Sequence, residues 1–115
     1  GKFVIQHSCG DNRAIISDLV DMGMDVYNTI QPEIYDLKQL KNEYGRHLTL
    51  YGGISTQHFL PEAAVEECRE MALYMLDAVG YDGGFIFGPA HAITPDIPCE
   101  NVLAMVDVVK KYKWF

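Results

Sequence analysis

No run in this 115-residue chain approaches the roughly eighteen apolar residues of a membrane-spanning helix. No charged-then-apolar leader precedes its first strand-like segment. Cysteine is scarce, with three residues and none at framework spacing, which excludes a disulfide scaffold and points to a reducing compartment, the cytoplasm. Positive charge is scarce as well: 9 Lys and Arg stand against 16 Asp and Glu, for a formal charge of −7. Such a balance offers no electrostatic footprint for nucleic acid or for an anionic membrane surface. Also missing is a phosphate-cradling glycine loop. The segment after the first apolar run, Cys9-Gly10-Asp11-Asn12-Arg13, holds neither G-x-G-x-x-G nor a Walker lysine.

What the chain has is hydrophobic residues, at 49%, enough for one compact domain and too many for disorder. They are arranged in four strand–helix units. Phe3 to His7 reads as a strand, and Asn12 then caps a helix with Ile15, Ile16, Leu19 and Val20 as its apolar stripe, ending at Gly23. Asp25 to Ile30 is a second strand, and Pro32 opens a helix carrying Ile34, Leu37, Leu40 and Tyr44 up to Gly45. Leu48 to Tyr51 is a third strand, broken by Gly52-Gly53. A helix from about Pro61 follows, with Val65, Cys68, Ala72, Met75 and Val79 inward. Gly84 to Phe87 is the fourth strand, and Pro98 starts a last helix with Val102, Met105, Val106 and Val109. Alternating β and α elements with short links imply parallel strands and right-handed crossovers. Without a glycine loop, half of an eight-stranded TIM (β/α)8 barrel fits better than a doubly wound nucleotide domain. The chain opens with Gly1 almost directly in a strand, as expected of a piece cut from something longer.

In such a barrel the chemistry lies at the C-terminal ends of the strands, and the unusual residues fall there. His7 and Cys9, two apart, leave one face of the first strand together. Imidazole and thiolate are zinc donors, although a lone Cys is more often a small core hydrophobe. His91 lies in a polar loop after the fourth strand, placed to act as ligand, proton donor or substrate anchor. Asn28 and Gln31 either hydrogen-bond substrate or cap their loop. Gly52 and Gly53 either let backbone approach a ligand or form a tight turn. Glu33 is a candidate carboxylate ligand, or simply a favourable charge in the first turn of a helix. Cys68 reads as core, Cys99 as incidental, and His47 and His58 as solvated loop residues.

Three stretches resemble the C-terminal half of the uroporphyrinogen decarboxylase family: His7-Ser8-Cys9-Gly10, Leu50-Tyr51-Gly52-Gly53-Ile54, and Gly88-Pro89-Ala90-His91-Ala92-Ile93-Thr94-Pro95-Asp96-Ile97-Pro98 leading into Glu100-Asn101-Val102. The last is the most specific. The resemblance implies a β/α barrel of which residues 1–115 are the C-terminal half, the N-terminal half being missing. It also implies one of two activities. Methyltransferases of the family bind zinc through His-x-Cys and a later Cys, can add an acidic ligand from the region of Glu33, and pass methyl groups between a corrinoid and a thiol or other acceptor. Decarboxylases remove tetrapyrrole acetate carboxyls without a cofactor.

His7-x-Cys9 is similar to the methyltransferase pattern, whereas His91 stands where the decarboxylases carry a histidine. The expected reading is zinc held by His7, Cys9 and His91 or Glu33, with a corrinoid or tetrapyrrole ligand and a corrinoid protein as partner. The rivals are decarboxylation, with His91 contacting a substrate carboxylate or assisting proton transfer, and an inactive structural piece. Two open sheet edges predict a homodimer or higher oligomer.

Overall fold

Short apolar segments bounded by glycine and polar turns set the order of elements. The computed structural model describes residues 1–113. Strands β1 (Ile5–His7), β2 (Val26–Ile30), β3 (Thr49–Ile54) and β4 (Phe85–Pro89) alternate with helices α1 (Ile16–Asp21), α2 (Leu37–Tyr44), α3 (Val65–Ala78) and α4 (Cys99–Lys111). The strands form one parallel sheet in the order β1-β2-β3-β4. A doubly wound sheet reverses its strand order at a switch point. This one never reverses, so the arrangement is half of a β/α barrel. Among the described residues no helix is long and apolar enough to cross a membrane.

The core lies between sheet and helices. Tyr27, Ile30, Leu50 and Ile54 from the strands pack with Leu37, Leu40, Cys68, Ala72, Met75 and Met105 from the helices. Full burial of each large apolar side chain contributes about 1.5–3 kcal/mol. Asn101 is a buried polar exception with a structural role. Its Nδ2 donates to the carbonyls of Leu60 and Ala63, at 3.0 and 2.8 Å, tying α4 to the loop before α3.

Several local expectations are corrected. Asn12 makes no side-chain cap; a 3-10 turn over Arg13–Ile15 precedes α1, and Ile15 is exposed. Its amide is instead committed to the loop network described below. The second helix starts at Leu37, not Pro32, because Asp36 caps it by accepting the Gln39 N–H at 2.9 Å. The third starts at Val65 rather than near Pro61, with the Glu67 carboxylate accepting the Ala64 N–H at 2.6 Å. Val106 is exposed on α4 rather than inward.

Gly52-Gly53 does not break β3; the strand runs through it to Ile54. Both glycines have positive φ, 118° and 100°, yet they pair with Phe87 and Gly88 of β4 within the strand rather than forming a tight turn. A Cβ on Gly52 would lie 2.6 Å from Thr29 Oγ1, and one on Gly53 2.4 Å from Met75 Cε. Close protein neighbours and backbone conformation therefore account for these two glycines.

Lys41 has no special signal in its sequence context, yet it is buried on α2. Its Nζ bridges Asp82 at 2.6 Å and donates to the Gly83 carbonyl at 2.6 Å, just before β4 begins. That end of a barrel serves stability rather than chemistry.

Candidate functional site

Parallel register carries residues of neighbouring strands into one row. His7 lies opposite Asn28, and Asn28 opposite Tyr51. His7 is the last residue of β1, so its imidazole reaches the strand-end side of the sheet, where Cys9 and His91 also lie. The ligating atoms of His7, Cys9 and His91 all fall within 4.8 Å of one another, and all three residues are exposed. His7 Nε2 is 3.7 Å from Cys9 Sγ, and the two imidazole rings meet edge-on, with centroids 5.9 Å apart.

The separation of the His7 and Cys9 donors fits a zinc site. Zinc–sulfur and zinc–nitrogen bonds of about 2.3 and 2.0 Å at the tetrahedral angle separate S and N by about 3.5 Å, close to the 3.7 Å between Cys9 and His7. A thiol and two imidazoles are borderline-soft ligands of the kind that hold zinc rather than magnesium or calcium.

The loop bearing Cys9 is held by an ordered set of hydrogen bonds. Asn12 Nδ2 donates to Tyr27 Oη at 3.0 Å, Tyr27 and Tyr35 hydroxyls lie 2.9 Å apart, and Tyr35 Oη donates to the Gly10 carbonyl at 3.0 Å. Tyr35 Oη also accepts the Asn12 backbone N–H at 3.0 Å. Each hydroxyl has one proton to give. With Tyr35 donating to Gly10, Tyr27 must donate to Tyr35, and the proton order is fixed along the chain. Burial, then the Tyr35 hydroxyl, pushes the Tyr27 phenol well above its usual pKa. Gln31 completes the clamp by accepting the Gly10 N–H at 2.8 Å. At the exposed turn beyond, Arg13 bridges Asp11 at 2.5 Å and lowers that carboxyl to about 2.

Glu33 does not join the three-residue cluster. Its carboxylate accepts from the Ser55 hydroxyl, whose oxygen in turn accepts the backbone N–H groups of His58 and Phe59, at 3.1 and 3.3 Å. Glu33 nevertheless shares a cavity of about 660 Å³ with Cys9, Gln31, His58, His91 and Asp96. A neighbouring cavity of about 540 Å³, with Glu33 and His58 also on its wall, runs between α2 and α3 against Leu37, Met71 and Tyr74. Asn28 and Gln31 thus have protein partners, and Gln31 also faces the larger cavity.

His58, exposed in its loop as expected, and Asp96 line the larger cavity, and Ser55 lines the neighbouring one; Ser55 and Asp96 are not singled out by the sequence. The strand-end rule finds Ser55 once β3 is carried to Ile54; ending that strand at Tyr51 hid it. Cys68 is fully buried, as expected of core, and its burial raises the thiol pKa. Cys99 and His47 are exposed away from the cluster.

The chain is similar to known proteins in both sequence and structure. The family model described as uroporphyrinogen decarboxylase (URO-D) matches residues 1–112. The methylcobamide:CoM methyltransferase MtaA of Methanosarcina barkeri is 28% identical over 109 residues, covering 94% of this chain and 30% of that protein. A uroporphyrinogen decarboxylase of Legionella pneumophila (strain Corby) is 33% identical over 75 residues, covering 64% of this chain and 20% of that protein. Among solved structures, a methyltransferase from Methanosarcina mazei superposes with a TM-score of 0.78 at 26% identity, over 95% of this chain and 31% of that one. The chain spans about a third or less of the length of these relatives.

Proposed function

The chain belongs to the uroporphyrinogen decarboxylase family, and from that premise we propose that it forms the C-terminal half of a β/α barrel bearing a zinc site for methyl transfer between a corrinoid and a thiol or other acceptor. One observation carries this reading: His7, Cys9 and His91 bring two imidazoles and a thiol within 4.8 Å of one another. Similarity to a protein named as a methylcobamide:CoM methyltransferase supports the same branch.

Cys9, His7 and His91 would hold the metal, the first as thiolate and the other two through imidazole nitrogens. Glu33 supplies a carboxylate to the same cavity, kept in place by Ser55. A zinc ion held by the three would supply Lewis-acid chemistry, lowering the pKa of an acceptor thiol in the same cavity. Gln31 keeps the loop of Cys9 in position through Gly10, while His58 and Asp96 line the cavity that takes the acceptor. The corrinoid arrives as substrate or on a corrinoid protein, and contacts from the rest of the barrel complete the site. Three free cysteines support a cytoplasmic setting.

Similarity to proteins named as uroporphyrinogen decarboxylases supports a second reading, in which exposed His91 contacts a tetrapyrrole carboxylate without metal. Cobalt(II) loading separates the two. The methyl-transfer reading expects a thiolate–cobalt charge-transfer band in the parent chain and its loss in Cys9→Ser. A spectrum with no such band contradicts it.

A further inference from the structure

Asn28 reads from sequence as either a substrate contact or a loop cap, and both ends of its side chain are engaged by protein. Its Oδ1 meets His7 Nδ1, and its Nδ2 donates to the Tyr51 carbonyl at 3.4 Å. Its backbone is committed too, since the Ser8 N–H donates to the Asn28 carbonyl at 2.7 Å. Asn28 does not line the cavity shared by Cys9 and His91.

The orientation of the amide follows from its partners. Turned the other way, the amide oxygen would face the Tyr51 carbonyl oxygen, acceptor against acceptor. With oxygen towards His7, the only complementary state of a neutral imidazole has its proton on Nδ1. Nε2 then carries a free lone pair, and Nε2 is the nitrogen that lies 3.7 Å from Cys9 Sγ.

We propose that Asn28 is a positioning residue for His7, locking the imidazole in the Nδ1–H tautomer with Nε2 presented beside the Cys9 thiol. The proposal rests on the zinc reading for its purpose and on the hydrogen bond alone for its geometry. Outer partners of this kind fix the orientation and raise the basicity of a metal-binding histidine, and their loss typically weakens metal affinity about 10–100-fold. The β1–β2 register, which sets His7 directly opposite Asn28, makes the pairing a property of the sheet rather than of a mobile loop.

The test has two arms on the purified chain. Long-range proton–nitrogen NMR of the metal-free protein, with 15N-labelled histidine at mildly alkaline pH, reads the tautomer directly. The expected result is Nδ1–H at His7 in the parent and a shift towards Nε2–H in Asn28→Ala. Zinc competition with a chromophoric chelator forms the second arm. Asn28→Ala is expected to bind about 10–100-fold more weakly, and Asn28→Asp, which keeps the acceptor oxygen, to stay within a few-fold of the parent. An Nε2–H tautomer in the parent, or equal zinc affinity in the parent and Asn28→Ala, overturns the proposal. Nδ1–H in a parent that takes up no zinc supports the positioning and overturns the zinc reading instead.

Discussion

Tyr35 Oη donates to the carbonyl of Gly10 at 3.0 Å and accepts the N–H of Asn12 at 3.0 Å, so one buried hydroxyl spans the turn that follows Cys9. The half-barrel thereby fixes an exposed thiol through a buried phenol on the loop leading into the next helix.

Removing that hydroxyl leaves a carbonyl and an amide without their partner at little change in volume. Tyr35→Phe is expected to lower stability by about 1–3 kcal/mol, read by urea denaturation. It should also speed amide hydrogen exchange at Asn12. Unchanged stability and exchange would show that water replaces the hydroxyl without loss.

The three cysteines differ in reactivity for a physical reason. Cys9 and Cys99 are exposed, while Cys68 is 0% exposed and burial raises its pKa. Iodoacetamide is expected to modify Cys9 and Cys99 in the folded chain and Cys68 only on unfolding, as read by peptide mass spectrometry. The sign of the pH effect follows from linkage. The folded state keeps the Cys68 proton at pH values where the unfolded thiol has lost it. Stability is therefore unaffected below the unfolded thiol's pKa and falls as pH rises through the folded one. Rapid labelling of Cys68 at neutral pH contradicts this account.

Assembly follows from the open sheet. Among the described residues the outer strands β1 and β4 each lack a partner on one side, and Phe3 is exposed at 84%, Val4 at 55% and Ile86 at 40%. Unpaired edges and apolar patches drive association. Two copies bring eight strands, enough for closure with two-fold symmetry. Sedimentation of the isolated chain is expected to show a homodimer or higher oligomer. The same chain is expected to turn over neither a tetrapyrrole nor a methyl donor, because a barrel site draws on loops from all its strands. A well-folded monomer at micromolar concentration contradicts the first expectation, and turnover at rates typical of a whole enzyme contradicts the second.

Much of this arrangement was legible in the sequence. Period and punctuation give the four strand–helix units, because apolar runs bounded by Gly and Pro report local conformation directly. The strand-end rule brings His7, Cys9 and His91 to one side although the outer two lie at opposite ends of the four-strand series. What escaped depends on tertiary partners. Gly52-Gly53 reads as a break because glycine marks turns, yet neighbours across the sheet hold both residues in β3. Pro32 reads as a helix start, but the segment that follows it turns Tyr35 into the loop network before Asp36 caps the helix. Lys41 carries no signal in its sequence context, and only the fold brings Asp82 and Gly83 to its ammonium. Asn28 carries no local signal at all for its role, since only strand register brings it to His7.

The central claim is that His7, Cys9 and His91 hold zinc, and metal content after exhaustive dialysis tests it most directly. The parent chain and Cys68→Ser, altered only in the core, should each retain zinc near one equivalent per site, while Cys9→Ser and His91→Ala lose most of it. Equal zinc in all four proteins, or none in the parent, contradicts the claim.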